Sequence, residues 1–131
     1  MAKLTGEMKT IFGKQLAVIA TVSKEGTPNV GPKGSIHVVD DETLGYSENV
    51  SEKTLRNLKE NPKVAIMVAD RENRDGYQIK GTAELLTSGN FFEQVTKRQE
   101  ERKKPLPKYA VKVKIEEIYS VRPGKTAQKI A

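Results

Sequence analysis

Cysteine is absent from this 131-residue chain, tryptophan is absent too, and histidine occurs once. Without cysteine there is no disulfide, no thiolate nucleophile and no zinc finger. A single histidine leaves little for metal chemistry, so no metal site is expected. No apolar run is long enough to span a bilayer. The opening stretch MAKLTGEMK holds no signal-peptide core, and the expectation is a cytoplasmic protein. Charged residues make up 31% and hydrophobic ones 36%. The hydrophobic residues are grouped rather than scattered, which argues for a packed core and against disorder. The length suits one domain over residues 1–131.

The net charge is +6, and it is uneven. Thr96 to Lys108 (TKRQEERKKPLPK) sets Lys97, Arg98, Arg102, Lys103, Lys104 and Lys108 against Glu100 and Glu101. A run of this kind is a solvated helix face or a surface for an anionic partner.

Apolar spacing orders the chain. Leu4, Met8, Ile11 and Phe12 predict a short helix, with Gly13 as its stop. Leu16 to Val22 reads as a buried strand. A second strand runs from Asn29 to Val39, interrupted by Gly31, Pro32 and Gly34, and a third covers TLGYS from Thr43. Ser51 has the character of an N-cap for a helix ending at Asn61-Pro62. Lys63 to Asp70 and Tyr77 to Leu86 are the fourth and fifth strands. Thr87 to Lys104 is a helix with Phe91, Phe92 and Val95 inward. Tyr109 to Val121 is the sixth strand, with Val111, Val113 and Ile115 on one face and Lys112 and Lys114 on the other. RPGKTAQKIA predicts a partly mobile tail. Tight turns favour antiparallel pairing. The fold class that follows is mainly β with short helices: six antiparallel strands closing into a barrel, which hides strand edges.

GTPNVGPKGS, from Gly26 to Ser35, nearly spells a phosphate-binding P-loop, but Pro32 displaces Lys33 by one position. A P-loop also needs a helix directly after it, and Ile36, Val38 and Val39 continue as a strand. The triphosphate reading is therefore excluded. Glycine in a strand lets a ligand or backbone approach closely, and Pro32 withholds a ladder donor, so this part is an edge or a bulge. Gly31 to Ser35 can then present free backbone groups to a flat, hydrogen-bonding ligand. The plainer reading is a β-bulge alone.

YSENVSEKT offers a second feature. With Ser51 as N-cap, the N–H groups of Lys53 and Thr54 point out of a helix N-terminus, where the dipole is positive. The Lys53 ammonium and the Ser51 and Thr54 hydroxyls complete a site suited to one phosphate. Glu48 and Glu52 oppose it if they point inward, and an ordinary capped helix is the alternative.

The ordered set LAVIATVSKEGTPNV, GPKGSIHVVDDETLGYS, SEKTLRNLKENPKVAIMV and YQIKGTAEL resembles the FMN-binding split barrels related to pyridoxamine 5′-phosphate oxidase, above all their small FMN-binding members. The resemblance implies a six-stranded antiparallel split barrel and a homodimer with FMN at the subunit interface. Carried over, Gly31, Pro32, Lys33, Gly34 and Ser35 line the flavin ring and ribityl chain, with Lys33 reaching the ribityl or phosphate. Ser47, Ser51, Lys53 and Thr54 surround the phosphate. The oxidases carry Arg-x-His near the C-terminus, whereas the tail here has Arg122-Pro123-Gly124 and no histidine. Pyridoxamine phosphate oxidation itself is therefore not expected. The lone His37 lies on the second strand and reads as a satisfied or surface residue. The functional expectation is a flavoprotein in electron transfer or a small flavin-dependent redox reaction, with NAD(P)H or a redox protein as partner. A small basic barrel for nucleic acid is the other reading, weakened by the lack of aromatics in the basic run.

Overall fold

A computed structural model describes residues 2–49, 52–122 and 124–131. Helix α1 spans Gly6–Lys14. Thr5 caps it, accepting from the Met8 N–H at 3.4 Å, and Met8, Ile11 and Phe12 face inward. Gly13 does not stop the helix as expected. It lies in the last turn, and the chain leaves the helix at Gln15, which is extended yet still bonds Ile11 O. Strands β1 (Ala17–Val22), β2 (Pro28–Pro32), β3 (His37–Asp40) and β4 (Thr43–Glu48) precede α2 (Glu52–Glu60). Then come β5 (Lys63–Asp70), β6 (Asp75–Leu86), α3 (Asn90–Glu101), β7 (Tyr109–Ser120) and β8 (Gln128–Lys129). The predicted N-cap Ser51 lies outside the described residues.

All pairings are antiparallel, and the strands run in the order β2-β1-β5-β6-β7-β4-β3, with β8 against β7. The fold is a mainly β split barrel, and the described residues form eight strands rather than the expected six. Two causes account for the difference. The stretch read as one strand from Asn29 to Val39 is two: β2 pairs β1, while β3 pairs β4 at the opposite end of the order. Four residues, Lys33 to Ile36, bridge these ends. Pro32 can stand in β2 because β2 has a neighbour on one side only. The other cause is the tail. Strand β4 leaves β7 at the Thr43–Lys114 pair, and further along that edge Tyr119 and Ser120 pair with Lys129 and Gln128. Ile130 and Ala131 also donate to Ile118 O. The expected loose tail is thus tied to the sheet.

Alternation decides what each strand buries. Ile19, Ile66, Val68, Ile79, Val111, Val113 and Ile118 are fully enclosed, and Tyr46 and Leu44 of β4 join them. Truncating one of these isoleucines to alanine is expected to cost about 2–5 kcal/mol. Lys112 and Lys114 face outward, as their alternation with valines predicted. Gly81 sits at a register shift between β6 and β7, and an added Cβ would stand 2.3 Å from Lys114 O, so only glycine permits this approach. On β4, a Cβ at Gly45 would meet Phe91 Cζ at 2.8 Å, so α3 rests directly on that strand. No helix among the described residues is long and apolar enough to cross a membrane.

Candidate functional site

The connection between β2 and β3 carries most of the predicted site. Gly31 pairs with Ile19 and Pro32 with Val18 on the edge strand. An added Cβ at Gly31 or Gly34 would meet nothing within 4 Å, so the space beside this backbone is open to a ligand. Ser35 is turned inward: its Oγ accepts from the Ser47 N–H at 3.0 Å and donates to Ser47 O at 3.2 Å. One side chain thereby clamps the connection to β4. Pro32, Lys33, Gly34, Ser35 and Ser47 share a cleft of about 420 Å³ with Asn49, Gln99, Arg102 and Lys104. The Ser47 hydroxyl is buried there without a partner among the described residues. An orphaned buried hydroxyl is costly, and a ligand in the cleft would relieve it.

Lys33 does not project freely toward a ligand as the sequence suggested. Its ammonium lies 2.9 Å from each Glu48 oxygen, and 5.7 Å from the centre of the Tyr46 ring. Tyr46 and Glu48 alternate along β4, which puts both on the side of the strand that Lys33 crosses. Glu48, expected to repel a phosphate if it faced inward, is fully buried against Lys33. Burial, then the Glu48 charge, raises the Tyr46 phenol far above its ordinary range, so it stays protonated.

At the start of α2 the two phosphate candidates separate. Lys53 is exposed and lines a cleft of about 550 Å³ with Lys24, Asn29 and Arg56. Glu25 and Glu60 also border that cleft. Thr54 is buried, and its Oγ1 accepts from Asn29 Nδ2 at 3.2 Å. One turn on, Asn57 donates to Thr21 Oγ1 at 3.0 Å, so these bonds fix α2 against β1 and β2. Ser47 and Lys53, expected around one phosphate, line different clefts.

A third cleft, about 410 Å³, lies on the far side of Lys33 and Gly34. Lys9, Lys14, Arg98, Arg102 and His37 line it, together with Phe12 and Ile36 and, among the described residues, with no carboxylate. Lys9 is paired with Asp41. Arg98 Nε is buried without a partner among the described residues. Burial, then neighbouring Arg102, lowers the Arg98 pKa, though a guanidinium stays charged. His37 Nδ1 lies 2.8 Å from Ser35 O, a contact that only the Nδ1–H tautomer can make. Burial moves the His37 pKa down, the Ser35 carbonyl moves it up, and Arg98 and Arg102 lower it further. The neutral ring therefore keeps Nε2 as an acceptor. Sequence reasoning left Arg98 and Arg102 in a charged run. Their i, i+4 spacing was the available signal, since it puts Arg98 and the C-cap residue Arg102 on one side at the end of α3.

These features define a split-barrel protein with a built, partly cationic groove at the β2–β3 connection. The family model for pyridoxamine 5′-phosphate oxidase matches residues 4–122, and the chain belongs to that family. It is 39% identical to the uncharacterised protein MJ0282 of Methanocaldococcus jannaschii, over 99% of this chain and 89% of that one. Among solved structures, HupZ of Group A Streptococcus is 38% identical with a TM-score of 0.88, covering 95% of this chain and 99% of HupZ. An FMN-binding protein of Syntrophomonas wolfei is 23% identical with a TM-score of 0.77, over 89% of this chain and 85% of its own. This last likeness is one of fold.

Proposed function

We propose that the protein binds FMN at the β2–β3 connection, as a single-domain cytoplasmic homodimer. Its role is electron transfer or a small flavin-dependent redox reaction. The observation that carries the reading is the buried Ser47 hydroxyl, without a partner among the described residues, in a cleft walled by Gly34 and the Ser35 clamp. The family match and the FMN-binding fold relative support the choice of cofactor. Open backbone at Gly31 and Gly34 suits the flat ring. Lys53 and Thr54 at the start of α2 suit the single phosphate, and Ser47 and Asn49, in the cleft beside Gly34, suit the ribityl hydroxyls. Bound FMN supplies one- or two-electron chemistry, and the protein supplies binding, orientation and field. The cationic cleft beyond Gly34 suits an anionic electron donor such as NAD(P)H.

Pyridoxamine 5′-phosphate oxidation is not the proposed reaction. Arg122, the tail arginine, is engaged by Asp75 at 3.3 Å, and no histidine accompanies it. Nucleic acid is disfavoured as well, because none of the seven phenylalanine and tyrosine side chains is exposed for base stacking.

Titration of the apoprotein with FMN, riboflavin and FAD tests the reading. FMN should bind tightest, since riboflavin lacks the phosphate and FAD adds an adenylate. Equal affinity for riboflavin removes the phosphate contacts from the account, and failure to bind any flavin overturns the proposal. FMN-loaded protein should form no significant pyridoxal 5′-phosphate from pyridoxamine 5′-phosphate in oxygenated buffer.

A further inference from the structure

A lysine between an exposed proline and an exposed glycine at a strand connection ordinarily extends into water. Lys33 does the opposite: its side chain is 13% exposed and its ammonium meets both oxygens of Glu48, which is 0% exposed. A buried glutamate is costly unless it is paired, so the two charges hold each other in place. The backbone fixes both ends. Lys33 N–H donates to Ala17 O at 3.1 Å, Ile36 N–H to Lys33 O at 3.2 Å, and Lys108 N–H to Glu48 O at 2.9 Å. Lys33 lines the clefts on both sides of Gly34. Whatever net charge stands at this point acts on a ligand in either one.

We infer that Glu48 is a positioning residue that holds the Lys33 ammonium at the groove and cancels its charge there. The inference rests on the FMN reading and names the groups that set the bound flavin's redox balance. A free ammonium beside the ring would favour the reduced, more negative cofactor. A close ion pair presents a dipole instead, and that preference is largely lost. Phosphate recognition then falls to residues other than Lys33.

The test uses the full chain and three variants, Glu48→Gln, Lys33→Met and the double variant. The first measurement needs no flavin: a double-mutant cycle on thermal unfolding. It should show strong coupling, with the double variant more stable than Lys33→Met alone, because the latter takes the ammonium away from a buried carboxylate. The second is affinity for oxidised and for reduced FMN. Glu48→Gln should raise the ratio of reduced to oxidised affinity at least tenfold, about 30 mV for a two-electron couple. The double variant should return it to near the parent ratio. An unchanged ratio in Glu48→Gln makes Glu48 merely structural and overturns the inference, as does a cycle without coupling. A parent that binds no flavin sinks the flavin reading and the tuning with it, while the cycle still decides whether Glu48 holds Lys33.

Discussion

The Ser35 hydroxyl stands between the N–H and the C=O of Ser47, 3.0 and 3.2 Å away, and does for β4 what a neighbouring strand would do. Ser35→Ala removes both bonds and leaves two backbone groups of a buried residue unpaired. A loss of about 1–3 kcal/mol is expected from one such group. Urea unfolding should register it, and FMN affinity should fall in the same variant because the wall of the cleft loosens. Parental stability would show that water replaces the hydroxyl without cost.

Lys53→Ala should weaken FMN binding roughly tenfold or more, the loss typical of a charge-assisted contact, with the unfolding midpoint unchanged because the side chain is exposed. Thr54→Ala should behave differently. Thr54 accepts from Asn29, so its loss strands an amide between α2 and β2 and lowers stability as well as affinity. Parental FMN affinity in both variants would move the phosphate to the cleft of Ser47 and Asn49.

The outer face of β1, β2 and β5 presents Val18, Ala20, Val30, Ala65 and Met67, which register places side by side. Val30 is 67% exposed and Met67 39%. This apolar face, with the family resemblance, supports the proposed homodimer. Sedimentation at micromolar concentration should give twice the chain mass of 14.5 kDa. The Val30→Lys, Met67→Lys double variant should sediment as a monomer. A parent that sediments as a monomer refutes the dimer.

His37 should make stability depend on pH. Its pKa in the folded chain lies below the ordinary 6.5, chiefly through burial. The unfolded chain therefore takes up the proton more readily, and stability rises with pH through this window. The His37 contribution is complete above about pH 6.5 and is lost as pH falls toward the lower folded-state pKa. His37→Gln should flatten the unfolding midpoint between pH 7 and about 5.5, above the range where carboxylates dominate. An unaltered slope would mean that the ring is solvated and not enclosed.

Local pattern was enough to determine the strands β4 to β7, the antiparallel class, the inward face of Val111, Val113 and Ile115, and the exclusion of a P-loop. It also confined Pro32 to an edge or a bulge, because a missing N–H is intolerable between two neighbours. These are properties of period, propensity and donor count, and they act over a few residues. Tertiary structure decided that Asn29 to Val39 is two strands, since only the neighbours β1 and β4 distinguish one end of the order from the other. It tied the tail to β7, where an open edge awaited a partner. It turned Arg98 and Arg102 into a cleft, and joined Lys33 to Glu48 across 15 positions of sequence. A charge is free or cancelled according to what lies within a few ångströms of it, and for residues this far apart that distance is set by the folded chain.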